Sequence, residues 1–191
     1  YGYSQPVKKE LLMKRVVTIS LVLLIALGIG MLGISCACGG EAPVPPPSEP
    51  KGGVYLNPTS IEAEPGQEVS IEIKVKPSGW GVSGGEINLA FNSDVLEVAD
   101  TEPGDFLGSS PIIGLNRIDN QSGVVRLALA RVGETTVPSP PGILATVQFR
   151  VLDSASSGTY KLKLTKVGLA DENFQDITDF AIQGTSIKIK T

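Results

Sequence analysis

The 191-residue chain carries 16 Lys and Arg against 20 Asp and Glu, no His and only two Cys. Without His neither a Ser-His nor a Cys-His catalytic pair can be built, and two thiols alone cannot complete a tetrahedral zinc site. Past Cys38 the count is 12 basic against 19 acidic residues, a net −7, because Lys8, Lys9, Glu10, Lys14 and Arg15 all precede it; with no basic stripe, a nucleic-acid partner is excluded.

The first Met is Met13, followed by Lys14-Arg15 and the apolar run VVTISLVLLIALGIGMLGI, residues 16–34. A positive start, an apolar stretch and small residues before a cut are the pattern of a secretory signal. Residues 1–12 then read as a non-native upstream extension. Cys36 follows Gly33-Ile34-Ser35, which resembles a bacterial lipoprotein cleavage site whose Cys becomes the lipidated first residue. Gly33 stands where such sites usually carry Leu. The run is also long enough to span a bilayer uncleaved. Residues 13–38 therefore have two readings, a lipid anchor on Cys36 or a retained membrane helix. Either places the remainder at the extracellular face of the membrane, or secreted if the anchor is removed. One acyl chain alone binds membranes marginally, so stable attachment needs the several chains of a mature lipoprotein. Residues 39–53 follow, with five Pro within EAPVPPPSEPKGG, a semi-extended spacer that buries no core.

Residues 54–191 are strands and turns. Val69 to Lys76 alternates, with Val69, Ile71, Ile73 and Val75 on one face. Glu86 to Phe91, Val125 to Ala130, Ile143 to Val151, Tyr160 to Val167 and Thr185 to Lys190 repeat the pattern between Gly, Pro, Asn and Asp clusters, which is the half-buried strand signal. No segment has helical periodicity beyond a short turn at residues 92–95. About nine strands with one apolar face each predict two packed sheets, an all-β antiparallel sandwich or jelly roll. Asn92-Ser93-Asp94 is expected to be the corner where the chain crosses from one sheet to the other. Asx side chains there bond the local backbone, and Phe91, Val95 and Val98 serve the core. Where Leu127 and Leu129 point inward, Arg126, Ala128 and Ala130 point outward. Alanine has poor β-propensity on an exposed strand, and a smooth patch of it suits close approach of a helix within a polar rim.

The order of Gly66 to Ile71, Gly84 to Phe91, Asp94 to Val98, Glu102-Pro103-Gly104, Gly123 to Ala130, Gly142 to Phe149, Val167 to Asp171 and Gly184 to Lys190 resembles that of cohesin domains. The likeness covers roughly residues 53–191; Asn92-Ser93 replaces the Asp-Pro usual in the family. The resemblance implies a nine-stranded jelly-roll sandwich without catalytic activity that binds dockerin domains, so that dockerin-bearing, polysaccharide-active enzymes assemble on a scaffold or cell surface. It also implies a flat sheet face as the contact. On it Glu86 falls where the family often has a hydrogen-bonding Asp, Asn88 and Ala90 share its face, Ala128 and Ala130 lie on the neighbouring strand, and Lys163 and Thr165 on a third, with Lys166 just beyond that strand's end. No cofactor or metal is implied here; calcium would belong to the dockerin.

A second class of function is direct carbohydrate binding or general adhesion on the same scaffold. Glycan binding needs exposed rings, and the domain offers Trp80, Tyr55, Tyr160 and five Phe, most of them core; Trp80 in the Ser-Gly-Trp-Gly loop is the one candidate for an exposed ring, the favoured reading being that it plugs the end of the sandwich. Paired carboxylates could serve glycoside hydrolysis, but Glu86, Glu97, Asp171 and Asp176 are scattered. Residues 171–176, Asp-Glu-Asn-Phe-Gln-Asp, lack the spacing and terminal Glu of an EF-hand loop.

Overall fold

A computed structural model of the chain describes residues 52–134 and 139–190. The signal or anchor at 13–38, with Cys36, lies outside those residues, as do residues 1–12 and the spacer up to Lys51.

Twelve strands follow one another: β1 (Gly53–Asn57), β2 (Ile61–Ala63), β3 (Glu68–Lys76), β4 (Gly84–Ala90), β5 (Leu96–Pro103), β6 (Ile112–Asp119), β7 (Val124–Ala130), β8 (Gly142–Val151), β9 (Gly158–Ala170), β10 (Asp176–Ile177), β11 (Ala181–Gln183) and β12 (Thr185–Ile189). They build two sheets, one in the order β11-β1-β3-β8-β5, the other β2-β12-β9-β4-β7-β6 with β10 beside β9. No helix occurs among the described residues. The all-β sandwich stands, with two corrections. The expected nine strands become twelve, since β2, β10 and β11 have only two or three residues each, too few to show alternation. The expected purely antiparallel pairing fails at two places, where β11 runs parallel to β1 and β2 parallel to β12.

The core is the sum of the inward faces. Ile71, Ile73, Val147 and Phe149 from one sheet meet Ile87, Leu89, Val125, Leu127, Leu162, Leu169 and Ile187 from the other, all buried. Burying each Leu, Ile or Phe stabilises by about 1.5–3 kcal/mol. Phe91 and Phe149 pack edge to face at 5.3 Å, an arrangement that adds to the area buried.

The chain crosses between sheets at Asn92. Its side-chain oxygen accepts from the Asp94 N–H at 2.9 Å, and its carbonyl accepts from the N–H groups of Val95 and Leu96 at 3.3 and 3.0 Å. Phe91, Val95 and Val98 are buried, so the stretch is architecture. Gly123 braces the corner: Phe91 N–H donates to its carbonyl at 2.9 Å. Its φ is +66°, and a Cβ there would lie 2.3 Å from the Phe91 oxygen. Only glycine fits.

The edge strands β5 and β6 are joined by side chains. Asn120 accepts from the Val98 N–H at 2.8 Å and donates to the Val98 carbonyl at 3.0 Å, and the Thr101 hydroxyl donates to Asn116 at 2.7 Å. The link holds β6 in register beside β7 and so completes the outer face described next.

Candidate functional site

The outward side of β9-β4-β7-β6 reads as four cross-strand rows, set by register. The first row is Ile112, Ala130, Gly84 and Ala170; the second is Leu115, Ala128, Glu86 and Gly168. The third is Arg117, Arg126, Asn88 and Lys166, and the fourth Asp119, Val124, Ala90 and Lys163. Leu127 and Leu129 are buried between them, so Ala128 and Ala130 do face outward, half-buried by their neighbours.

Two bulges shape this face. Between Asn88 and Leu89 the partner shifts from Lys166 to Leu164, leaving Thr165 as the extra residue, and its hydroxyl reaches the Asn88 carbonyl at 3.3 Å. Strand β9 therefore does not end near Lys166, as the sequence suggests, but continues through Gly168 and Ala170. Lys166 is a full member of the face, its Nζ donating to Glu86 at 2.8 Å. The second bulge places Gly114 outside the β6-β7 register, which turns both Ile112 and Leu115 to the outer side.

A third element overhangs the first row. Asp171 accepts at one oxygen from the N–H groups of Asn173 and Gln175, both at 2.8 Å, and its own N–H donates to the Gln175 carbonyl at 2.9 Å. This turn puts Phe174 at φ 60° with the residue 77% exposed. Phe174 walls a depression of ≈ 300 Å³ lined also by Gly84, Glu86, Ala130, Gly168, Ala170 and Asp176. An uncovered aromatic ring over a floor of glycine and alanine offers apolar contact without obstruction.

The charges are uneven. Glu86 is held by Lys166. Asp119 lies below its usual carboxylate range chiefly because the Ser122 N–H and hydroxyl bond it, with Arg117 a smaller influence; the N–H bond is 3.0 Å long. Arg117 and Arg126 stand directly opposite each other, an arrangement that costs stability when nothing neutralises it. Lys163 is exposed in the next row.

All eight predicted contact residues, Glu86, Asn88, Ala90, Arg126, Ala128, Ala130, Lys163 and Thr165, thus fall on one face. Sequence reasoning missed Ile112, Leu115, Gly168, Ala170 and Phe174. Extending the alternation of Val167 and Leu169 past Lys166 would have found the small pair. A lone bulky ring in a polar turn was the signal for Phe174.

Of the two readings of Trp80, the packed one holds. It packs against the core and lies edge-on to Phe180 at 6.1 Å; Phe174 is the exposed ring among the described residues. Three coplanar rings for stacking sugars are not formed there. Of the four carboxylates only Glu86 and Asp176 line one depression, and Glu86 is bonded to Lys166; Glu97 belongs to the other sheet, and Asp171 is engaged by its own turn.

A family model described as Cohesin domain matches residues 54–189. Among solved structures, a non-cellulosomal cohesin from the hyperthermophilic archaeon Archaeoglobus fulgidus is similar at a TM-score of 0.60 and 19% identity, over 74% of this chain and 92% of that one. A cohesin from a cohesin–dockerin complex of Clostridium thermocellum gives 0.60 at 13% identity, over 73% and 99%. The solution structure of a cohesin from Clostridium acetobutylicum gives 0.57 at 20%, over 72% and 91%. Among curated proteins none matches the chain.

Proposed function

The chain belongs to the cohesin family, and from that premise we propose that its β9-β4-β7-β6 face receives the dockerin domain of another protein. The domain is non-catalytic, as cohesin domains are. The observation that carries the proposal is the flat outer floor of Gly84, Ala128, Ala130, Gly168 and Ala170, which lets a helix backbone approach closely. Ile112, Leu115 and Phe174 border it with apolar surface, and charged side chains supply the rim. Contact energy concentrates in such desolvated apolar anchors, while rim charges set register.

In the fuller proposal, residues 13–38 anchor the protein at the outer face of the membrane through lipidated Cys36 or a retained helix. The Pro-rich spacer holds the domain clear of that surface. The docked protein is a polysaccharide-active enzyme, and calcium is needed by the dockerin alone. Similarity to solved complexes that contain dockerins supports the partner class.

Ala128→Arg tests the face. Secreted proteins of the source organism are passed over the wild-type and variant proteins, with and without chelator. The wild type should retain a dockerin-bearing protein only while calcium is present, and the variant should retain none, with its thermal unfolding within a degree or so of wild type, as expected for a surface position. Undiminished capture by the variant would show the face to be wrong. Retention of the wild type itself on cellulose, with no partner present, would favour direct glycan binding. Mass spectrometry of the mature N-terminus separates the two anchors.

A further inference from the structure

We infer, building on the docking reading, that this face selects a partner helix polarised in charge, apolar at the end beneath Phe174 and acidic at the end over Arg117, Arg126 and Lys163. Along β4 the rows change character in one direction. At Gly84 all four members are apolar, with the carboxylate of Asp176 next along beside Ala170; at Asn88 three of four are cations, and Lys163 follows beside Ala90. From Gly84 to Ala90 is about 20 Å at 3.4 Å per residue, the length of about 13 helical residues at 1.5 Å each.

The positive end is local, and Asp119 beside Arg117 offsets only one of its charges. Four cations, Arg117, Arg126, Lys163 and Lys166, stand in the four rows with two carboxylates, Glu86 and Asp119. Glu86 is taken by Lys166, and Asp119 by Ser122 with Arg117 close by. No carboxylate is bonded to Arg126 or Lys163 among the described residues. Yet the segment after Cys38 carries 12 basic and 19 acidic residues, so acids are plentiful elsewhere. The other sheet shows the contrast: outward Glu72 meets Lys74 at 3.0 Å, and Glu97 and Asp153 flank Arg150. Two arginines directly opposed across a strand pair repel one another, and the carboxylates of a docked helix remove that repulsion. The occupant is therefore a helix with two or more Asp or Glu on one face at one end, and small or aliphatic residues about 9–13 positions away.

The test uses fluorescein-labelled stapled helices of about 18 residues and the full-length chain in neutral detergent. One helix carries Ala and Leu in its first turns and Glu in its last; the second has Lys in place of each Glu. By anisotropy the Glu helix should bind about tenfold more tightly than the Lys helix at about 50 mM salt, and the gap should narrow at about 300 mM. In the double variant Arg126→Glu, Lys163→Glu the preference should reverse, and gain of the Lys helix would itself show that the variant is folded. Equal binding of both helices by the wild type, or an unchanged preference in the double variant, overturns the charge selection and leaves docking intact. Failure of both helices to bind the wild type overturns the docking face and the selection with it.

Discussion

Replacing Phe174 by Gly should raise stability while weakening capture. At φ 60° a residue with a Cβ carries a cost of about 1–2 kcal/mol that glycine avoids. The ring contributes little to folding, since the residue is 77% exposed. Against the relief stands the looser unfolded chain of a Gly variant, worth about 0.4–1 kcal/mol. The net is a gain between zero and about 1.5 kcal/mol. Capture should move the other way. Burying a Phe side chain on docking is worth about 1.5–3 kcal/mol, so its loss should weaken binding about 10- to 150-fold. Phe174→Ala separates the two effects: it removes the ring and keeps the unfavourable φ, so capture should fall equally with no gain in stability. Urea unfolding and calorimetric titration with the recovered dockerin protein measure both quantities. Wild-type affinity in Phe174→Gly would remove the ring from the interface. A loss of more than about 1 kcal/mol in stability would show instead that the ring packs within the fold.

Two further outcomes follow from the framework that supports the face. Asn120→Ala removes both bonds to Val98 and should cost about 2 kcal/mol, lowering Tm by about 5–10 °C; an unchanged Tm would mean that the β5-β6 link is idle. Stability should also fall in acid. Glu62 is lowered by Lys190 and then Lys188, Glu72 by Lys74 and then Asn57, and Asp119 by Ser122. Each depressed carboxylate adds stability that is complete above its unfolded pKa and is lost as pH falls through the folded value, so urea midpoints should hold above about pH 5 and decline below about pH 4. A midpoint that stays flat or rises between pH 5 and 3 would contradict these pairings.

Strands with one buried side were legible in the sequence. Val69 to Val75 and Val125 to Ala130 alternate because the core demands it, and the same demand fixes which way Ala128 and Ala130 point. The sheet-to-sheet corner at Asn92 was legible too, because the Asx turn leaves a local chemical mark. Strand β6 carried no such mark. As the outer strand it is exposed from Ile112 to Arg117, and the bulge at Gly114 breaks whatever alternation remained. The two parallel pairings lie at β1-β11 and β12-β2, where strands of three residues carry too little pattern to announce themselves.

The bulge at Thr165 explains why the site was only half visible. In a regular strand, residues 163, 165 and 167 would share the outer side, and Lys166 would turn inward, where an unpaired charge is very costly. The consecutive exposed Thr165 and Lys166 therefore look like a strand ending. The extra residue instead resets the phase, so that Val167 and Leu169 return to the core while Gly168 and Ala170 reach the face. The same shift sets Lys166 against Glu86 and removes the one carboxylate among the apolar rows from competition for Arg126. An insertion of one residue thereby supplies two of the five small residues of the floor and leaves the arginine end positive, and the two ends of the proposed docking track share this cause.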